Sequence, residues 1–226
     1  MRILRRLTGV LSAGYILFYY SEILFWARVR PTDSLPDWIA GWLLYSLMAF
    51  IVLSLIARFR VRTLWALFLV GAAFGWLVEG LIVQTLYEEL PFSISFTGLA
   101  WHALITVWVG WYAVRRALHT GFLPTVLLAA AIGIVYGFWA ITWWVEPEGG
   151  VSSPLQFAVY TTLSSLLLIL ACWLHDRTVP ISFTPSRVAD GVLIALALLY
   201  FAFITVPVAP LAAGILPFLL LVIYLP

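Results

Sequence analysis

The feature that most constrains this chain is its division into long apolar runs, each bounded by arginines, acidic residues or Pro/Gly breaks. Eight stand out: Leu7–Trp26, Trp38–Ala57, Leu64–Leu86, Phe96–Val114, Phe122–Val145, Pro154–Leu174, Gly191–Val206 and Pro210–Leu225. A hydrocarbon core of ~30 Å needs about 20 apolar residues per helix. The runs lack the period-two alternation of a barrel, so helices are the spanning form. The first six runs are long enough to cross alone. The last two are short, separated at Pro207–Pro210 in VPVAP, and read as two spans or as one broken hairpin. The expected fold is all-α, a polytopic transmembrane helical bundle of about eight spans. No polar stretch is long enough for a separate domain, so residues 1–226 read as a single integral membrane domain. The longest such stretch, His175 to Asp190, reads as a cytoplasmic loop.

Composition enters as an exclusion. The 226 residues are 64% hydrophobic and 10% charged, whereas a soluble domain carries roughly 25% charged residues. A soluble enzyme, a secreted disulfide scaffold and a disordered regulator are thereby excluded. The chain has no lysine, so no retinal Schiff base forms, and its single cysteine, Cys172, excludes intramolecular dithiol chemistry. No Walker or Rossmann glycine loop supports nucleotide binding. The residues name no cofactor.

The first run follows Arg2, Arg5 and Arg6, as in the n-region of a signal peptide. It lacks a small-x-small cleavage site, is rich in bulky aromatics and carries Glu22, so it reads as a retained helix. Arginine placement then sets the orientation. With the N-terminus inside, ten arginines (2, 5, 6, 58, 60, 62, 115, 116, 177 and 187) lie inside, and only Arg28 and Arg30 lie outside. The outer loops are acidic, with Asp33, Asp37, Glu88, Glu89, Glu146 and Glu148. Both termini are expected in the cytoplasm, in a bacterial or archaeal cytoplasmic membrane. The pI near 8.8 reflects anchoring by inside arginines and points to no nucleic-acid partner.

Small residues mark close helix packing in lipid. Gly71 and Gly75 in the third run, and Ala129, Gly133 and Gly137 in the fifth, predict that these two helices lie at the centre of the bundle. A shift of 58 residues also places Gly75 on Gly133, Glu88 on Glu146 and His102 on Tyr160. Duplication explains this, and so does the shared topology of hairpins.

Ionisable groups at membrane depth are costly and by default face the interior or a wet cavity. This chain has three: Glu22, Glu79 and His102. Glu79 lies about seven residues from the end of its run, ~10 Å deep at about 1.5 Å per residue. His102 lies at nearly the same depth in the following antiparallel run, so the two can touch. Gln84, Trp101, Trp139 and Tyr160 share the outer layer with Glu22 and complete a polar, aromatic-lined pocket open to the extracytoplasmic side. Trp143 and Trp144 read instead as interfacial belt residues. In that layer Glu79 and His102 form an acid–base pair able to activate water or a hydroxyl. Glu22, Glu79 and His102 would also suit a metal, but no HExxH or repeated His pair supports one, and no metal ligand is assigned. His119 and His175 fall in inner loops and receive no role.

The stretch VEGLIVQTLYEELPFSISFTG carries Glu79-Gly80-Leu81, Leu90-Pro91-Phe92-Ser93 and Thr97-Gly98. In order, these fragments resemble the EGLTEFLP-I-SSTGH segment of undecaprenyl-pyrophosphate phosphatases. The resemblance implies lipid-pyrophosphate hydrolysis at the outer face through a glutamate. It covers about 20 residues, its spacings differ from the family's, and the family's PGxSRS motif has no equivalent. The chain is therefore not assigned to that family.

Three functions fit the pattern. The first is binding or transport of a small cationic or amphiphilic ligand in the outward pocket, where acidic outer loops concentrate cations. The second is a membrane-embedded enzyme acting on a lipid or isoprenoid from the outer leaflet through Glu79 and His102. The third is a structural or accessory subunit in which that pair clasps two helices. Expected partners are membrane lipid, a small amphiphile or cation, and a second copy or another subunit of a membrane complex.

Overall fold

A computed structural model of the chain describes residues 2–30, 33–145, 152–184 and 186–224. Glu146 and Glu148 lie outside the described residues, as does the side chain of Trp144. Among the described residues, seven helices are long and apolar enough to cross a membrane: α1 (Ile3–Trp26), α2 (Leu35–Arg58), α3 (Leu64–Ile82), α4 (Ile94–Thr120), α5 (Phe122–Trp143), α6 (Pro154–Val179) and α7 (Arg187–Val208). A shorter apolar helix, α8 (Ala212–Ile223), follows.

Helix ends depart from the apolar runs for identifiable reasons. The seventh helix is longer than its run because it starts at Arg187, where Ser186 accepts a hydrogen bond from the Ala189 N–H and caps the first turn. It is therefore of spanning length, whereas α8 is shorter. The third run stops early: Gln84 takes a left-handed φ of 64° and the chain leaves the helix there. Ala27, at φ 55°, follows the end of α1 in the same way. Residues 175–179, expected in a loop, continue α6 instead. Their charges do not break the helix because Asp176 is paired with Arg115 and lies 2.8 Å from His119.

The chain forms two compact units. Unit 1 comprises Met1–Ala49 and Val109–Ser182. In it α1 lies between α2 and α6. A Cβ on Gly14 would fall 2.5 Å from the Ser46 Cα, and one on Gly9 would fall 2.8 Å from Val179. At Gly14 the neighbour is backbone and only glycine fits, whereas at Gly9 the neighbours are the side chains of Val179 and Thr178. Hydrogen bonds lace the contacts: Trp42 Nε1 donates to the Leu11 carbonyl at 2.8 Å, and Tyr15 donates to that of Ser164 at 3.2 Å. At one end, Arg115 stacks on Trp111, and the His175 ring, 1% exposed, meets the same indole.

Unit 2 comprises Phe50–Trp108 and Phe183–Pro226. Here α3 meets the first part of α4 through glycines. A Cβ on Gly75 would fall 2.4 Å from the Gly98 carbonyl oxygen, and one on Gly71 would fall 2.8 Å from the Ala103 Cα. Trp76, Leu81, Leu86 and Ala103 form a core with Leu216 and Leu219 of α8. Asp190 of α7 accepts from Ser54 at 3.1 Å and pairs with Arg58.

The small residues mark a close helix contact in α3 and none in α5. α3 is 61% buried along its apolar stretch, and α5 is 6% buried. Nothing lies within 4 Å of a Cβ placed on Gly133 or Gly137. Ala129 and Gly133 instead help to line a cavity of about 420 Å³ bordered by Tyr19, Tyr136 and Ser165. Short side chains there leave space rather than closing a contact.

Candidate functional site

Among the described residues, four helices carry i→i+5 hydrogen bonding: α4 over the 21 residues Ile94–Val114, and α1, α3 and α7 as single wide turns at Tyr19–Ile23, Val78–Ile82 and Phe201–Thr205. Wide turns of this kind are rare and often accompany functional positions. Two of the single turns contain Glu22 and Glu79, and the α4 stretch contains His102. A widened turn shifts the hydrogen-bond register, so carbonyls near the helix end must find other donors.

Side chains supply those donors. At the end of α3 the carbonyl of Gly80 accepts from the Tyr87 hydroxyl at 2.8 Å, and that of Leu81 accepts from Thr205 at 2.8 Å. Gln84 donates to the carbonyls of Ile82 at 2.9 Å and Leu81 at 3.3 Å. At the end of α1, Tyr160 donates to the Ile23 carbonyl at 2.9 Å. The Phe25 carbonyl accepts from two indoles, Trp139 at 2.6 Å and Trp143 at 2.7 Å. Gln84 and Trp139 are thus engaged in holding helix ends, and Trp143 does more than mark an interface. Trp101, only 6% exposed, packs inside the protein.

Glu79 and His102 meet. The His102 Nε2 lies 2.7 Å from Glu79 Oε1, and Thr85 donates to the other carboxylate oxygen. The side chains are 3% and 13% exposed respectively, and the Phe74 ring stands edge-on to the imidazole at 5.3 Å. His102 Cβ also borders Gly75, at a glycine-mediated α3–α4 contact. The pair therefore joins two helices beside a close approach.

Glu22 belongs to unit 1 and has different neighbours. Its carboxylate accepts from the Tyr45 hydroxyl at 2.7 Å and from Trp26 Nε1 at 3.1 Å. It borders a chamber of about 160 Å³ that Arg28, Arg30, Asp33, Asp37, Trp38 and Tyr160 also line. Beside this chamber runs a larger groove of about 1030 Å³, sharing with it Phe18, Arg28, Arg30, Asp33, Trp38 and Tyr160. The groove is walled by Leu35, Ile39 and Trp42 of α2 and by Leu155, Val159, Leu163 and Leu167 of α6, with Tyr15 and Phe18 of α1 as its floor. Its polar side chains are few, and among the described residues its charges are Arg28, Arg30 and Asp33. Arg30 pairs with Asp33 at 2.9 Å and stacks on Trp26 at 4.4 Å. Arg28 lies 5.9 Å from the centre of the Trp143 ring. Neither Glu79 nor His102 lines the groove or the chamber.

Sequence reasoning placed Glu22 and Tyr160 at a pocket, and both border these spaces. It passed over Arg28, Arg30 and Trp38. The available signal was that the only arginines outside the expected inner set flank Val29 in WARVRPTD, directly after an aromatic helix end.

Among the described residues, no three His, Cys, Asp or Glu side chains gather closely enough to hold a metal ion. Comparison with protein families, curated proteins and solved structures finds no match to this chain. Its class rests on its own features: a multi-pass helical membrane protein with tryptophan-rich aromatic clusters.

Proposed function

We propose that this protein binds a membrane amphiphile, with the acyl portion along the α1–α2–α6 groove and the headgroup at Arg28 and Arg30. The carrying observation is the groove itself, about 1030 Å³ with two apolar helix walls and, among the described residues, charges at three positions. Leu155, Leu163 and Leu167 are 50% or more exposed, so in a bilayer this face meets lipid tails and a chain enters from the side. An apolar cavity with a few placed polar groups is the ordinary form of a small-molecule site. In the orientation favoured by the arginines, the charged end faces the extracytoplasmic leaflet.

The Glu79–His102 pair fits a structural clasp better than catalysis. It sits at the glycine-mediated contact of α3 with α4 and is hydrogen-bonded on both carboxylate oxygens. Inter-helix hydrogen bonds of this kind contribute about 0.6–2 kcal/mol in membranes.

The test is lipid-dependent thermal unfolding of detergent-purified protein, titrated with a dioleoyl phospholipid, for wild type and Leu163→Trp. Leu163 is 58% exposed, so the larger ring fills the groove without crowding the core. A ligand at 100 times its Kd stabilises by about 2.7 kcal/mol. The wild type should show a saturable rise in unfolding temperature, and the variant a much smaller one from the same starting value. Equal shifts in both proteins would overturn the proposal.

A further inference from the structure

A different face of α6 borders the cavity of about 420 Å³ in unit 1, which α1, the end of α4 and α5 complete. Thr161 and Ser165 of its lining fall midway between Val159, Leu163 and Leu167 of the groove. Residues two apart point to roughly opposite sides of a helix, so α6 separates the two spaces. Leu118 and Ile169 on the cavity's border are 40% and 57% exposed, and its rim therefore meets the bilayer. The volume lies within the about 300–1,000 Å³ of ordinary small-molecule sites.

Among the described residues, no charged side chain lines this cavity. Its polar groups are hydroxyls and the Cys172 thiol, and three of the hydroxyls are level. Tyr19, Tyr136 and Thr161 each stand seven residues from a helix end, at Trp26, Trp143 and Pro154 respectively. That is about 10 Å along the axis at about 1.5 Å per residue. In the orientation favoured by the arginines, those three ends are the outer ones. A charge at this depth is costly, so the polar part of a ligand here is uncharged. Deeper in, Leu118, Leu128 and Leu168 line the cavity and fit a hydrocarbon tail.

The hydroxyls differ in what they have left to donate. Thr161 donates to the Phe157 carbonyl at 2.8 Å, and Thr125 donates to that of Gly121 at 2.8 Å. The Tyr19 and Ser165 hydroxyls lie 3.1 Å apart; whichever donates, the proton of the other remains. No hydrogen bond among the described residues engages the Tyr136 hydroxyl, whose ring stacks on Phe157 at 5.8 Å. Donors out of reach of bulk water call for acceptors. An alcohol would add another proton to the site, and a carbonyl adds none.

We infer that this cavity is a second lipid site, for an uncharged lipid whose carbonyl oxygens accept from Tyr136 and from the Tyr19–Ser165 pair. A prenylated quinone and a glyceride ester share that chemistry on a long apolar chain. The inference stands independently of the groove.

The experiment titrates detergent-purified protein with decylubiquinone, methyl oleate, oleyl alcohol and sodium oleate. Apparent affinity is read from the saturable rise in unfolding temperature. It is repeated for Gly133→Phe, Tyr136→Phe and Leu163→Trp. Nothing lies within 4 Å of a Cβ on Gly133, so phenylalanine there occupies the cavity without crowding its neighbours. Tyr136→Phe keeps the ring on Phe157 and removes the hydroxyl, and Leu163→Trp fills the groove alone. At least one carbonyl probe should bind the wild type about tenfold more tightly than the alcohol and the oleate. The tighter of decylubiquinone and methyl oleate then identifies a quinone or an ester as the source. Gly133→Phe should lose this binding, Tyr136→Phe should weaken it about fivefold, and Leu163→Trp should retain it. Oleate or oleyl alcohol binding as tightly as the better carbonyl probe overturns the ligand class. Unchanged binding in Tyr136→Phe or Gly133→Phe, or no saturable binding of either carbonyl probe, overturns the site. Binding lost in Leu163→Trp alone overturns it too and assigns the probes to the groove.

Discussion

At the scale of single residues, the recurring device is a side-chain donor placed on a backbone carbonyl at a helix end. The Phe25 carbonyl has two such donors, Trp139 and Trp143. Removing one leaves the other in place. Trp139→Phe and Trp143→Phe should each cost about 0.6 kcal/mol. The double variant should cost more than their sum, because only then is the part-buried carbonyl left without an indole. Unfolding of the four proteins in detergent measures the coupling. A related consequence concerns pH. Burial pushes the Tyr87 hydroxyl, which donates to Gly80, up to about 12 from its usual 10. The unfolded chain therefore releases that proton first, so stability is lost as pH rises from about 10 towards 12 and is unaffected by this group below 10. Tyr87→Phe should remove this part of the alkaline slope, read as the difference between the two unfolding profiles. Glu79 and His102 were legible as neighbours, because residues symmetric about a hairpin turn are level with each other. The engagements of Gln84 and Trp139 were not, because their acceptors are backbone carbonyls exposed by wide turns, and a carbonyl leaves no mark in the residue letters.

At the scale of helices, glycine has two opposite uses that the sequence writes identically. On α3, Gly75 permits a contact that a methyl group would break, 2.4 Å from a carbonyl oxygen. On α5, Gly133 faces open space. Gly75→Ala should destabilise by about 1–3 kcal/mol through overpacking. Gly133→Ala should be neutral or stabilising by up to about 1 kcal/mol, the helix-propensity difference. Thermal unfolding of the two variants distinguishes these cases directly. The His175 region carries a similar lesson. A cluster of His, Asp and Arg suggested a loop, yet α6 runs through it because Asp176 is paired with Arg115 and the His175 ring is 1% exposed. Pairing partners 57 to 61 residues away decide whether such charges end a helix, and local composition does not record them.

At the scale of the molecule, the membrane class was legible from the apolar runs, which become seven helices of spanning length. The groove was not, because its walls and floor come from α1, α2 and α6, brought together only by folding. Aromatic and polar residues in one layer signalled a pocket. Which of them line it depends on which already serve the backbone: Tyr160 does both, Trp139 caps Phe25, and Arg28 and Arg30 hold the mouth. The Glu79–His102 clasp and the groove should then be separable. Glu79→Gln and His102→Ala should lower unfolding temperature while leaving lipid affinity of the folded protein unchanged, as measured by native mass spectrometry. The central claim is that the groove is a binding site and more than a surface wetted by bulk lipid. Saturation separates the two. Photo-crosslinking with a phospholipid carrying a diazirine in its acyl chain, mapped by peptide mass spectrometry, should label the Leu155–Leu167 face of α6 and lose that label to excess unlabelled lipid. Labelling of Leu196 and Phe203 on α7, both exposed, should resist competition. Uniform, non-competable labelling of both helices would contradict the account.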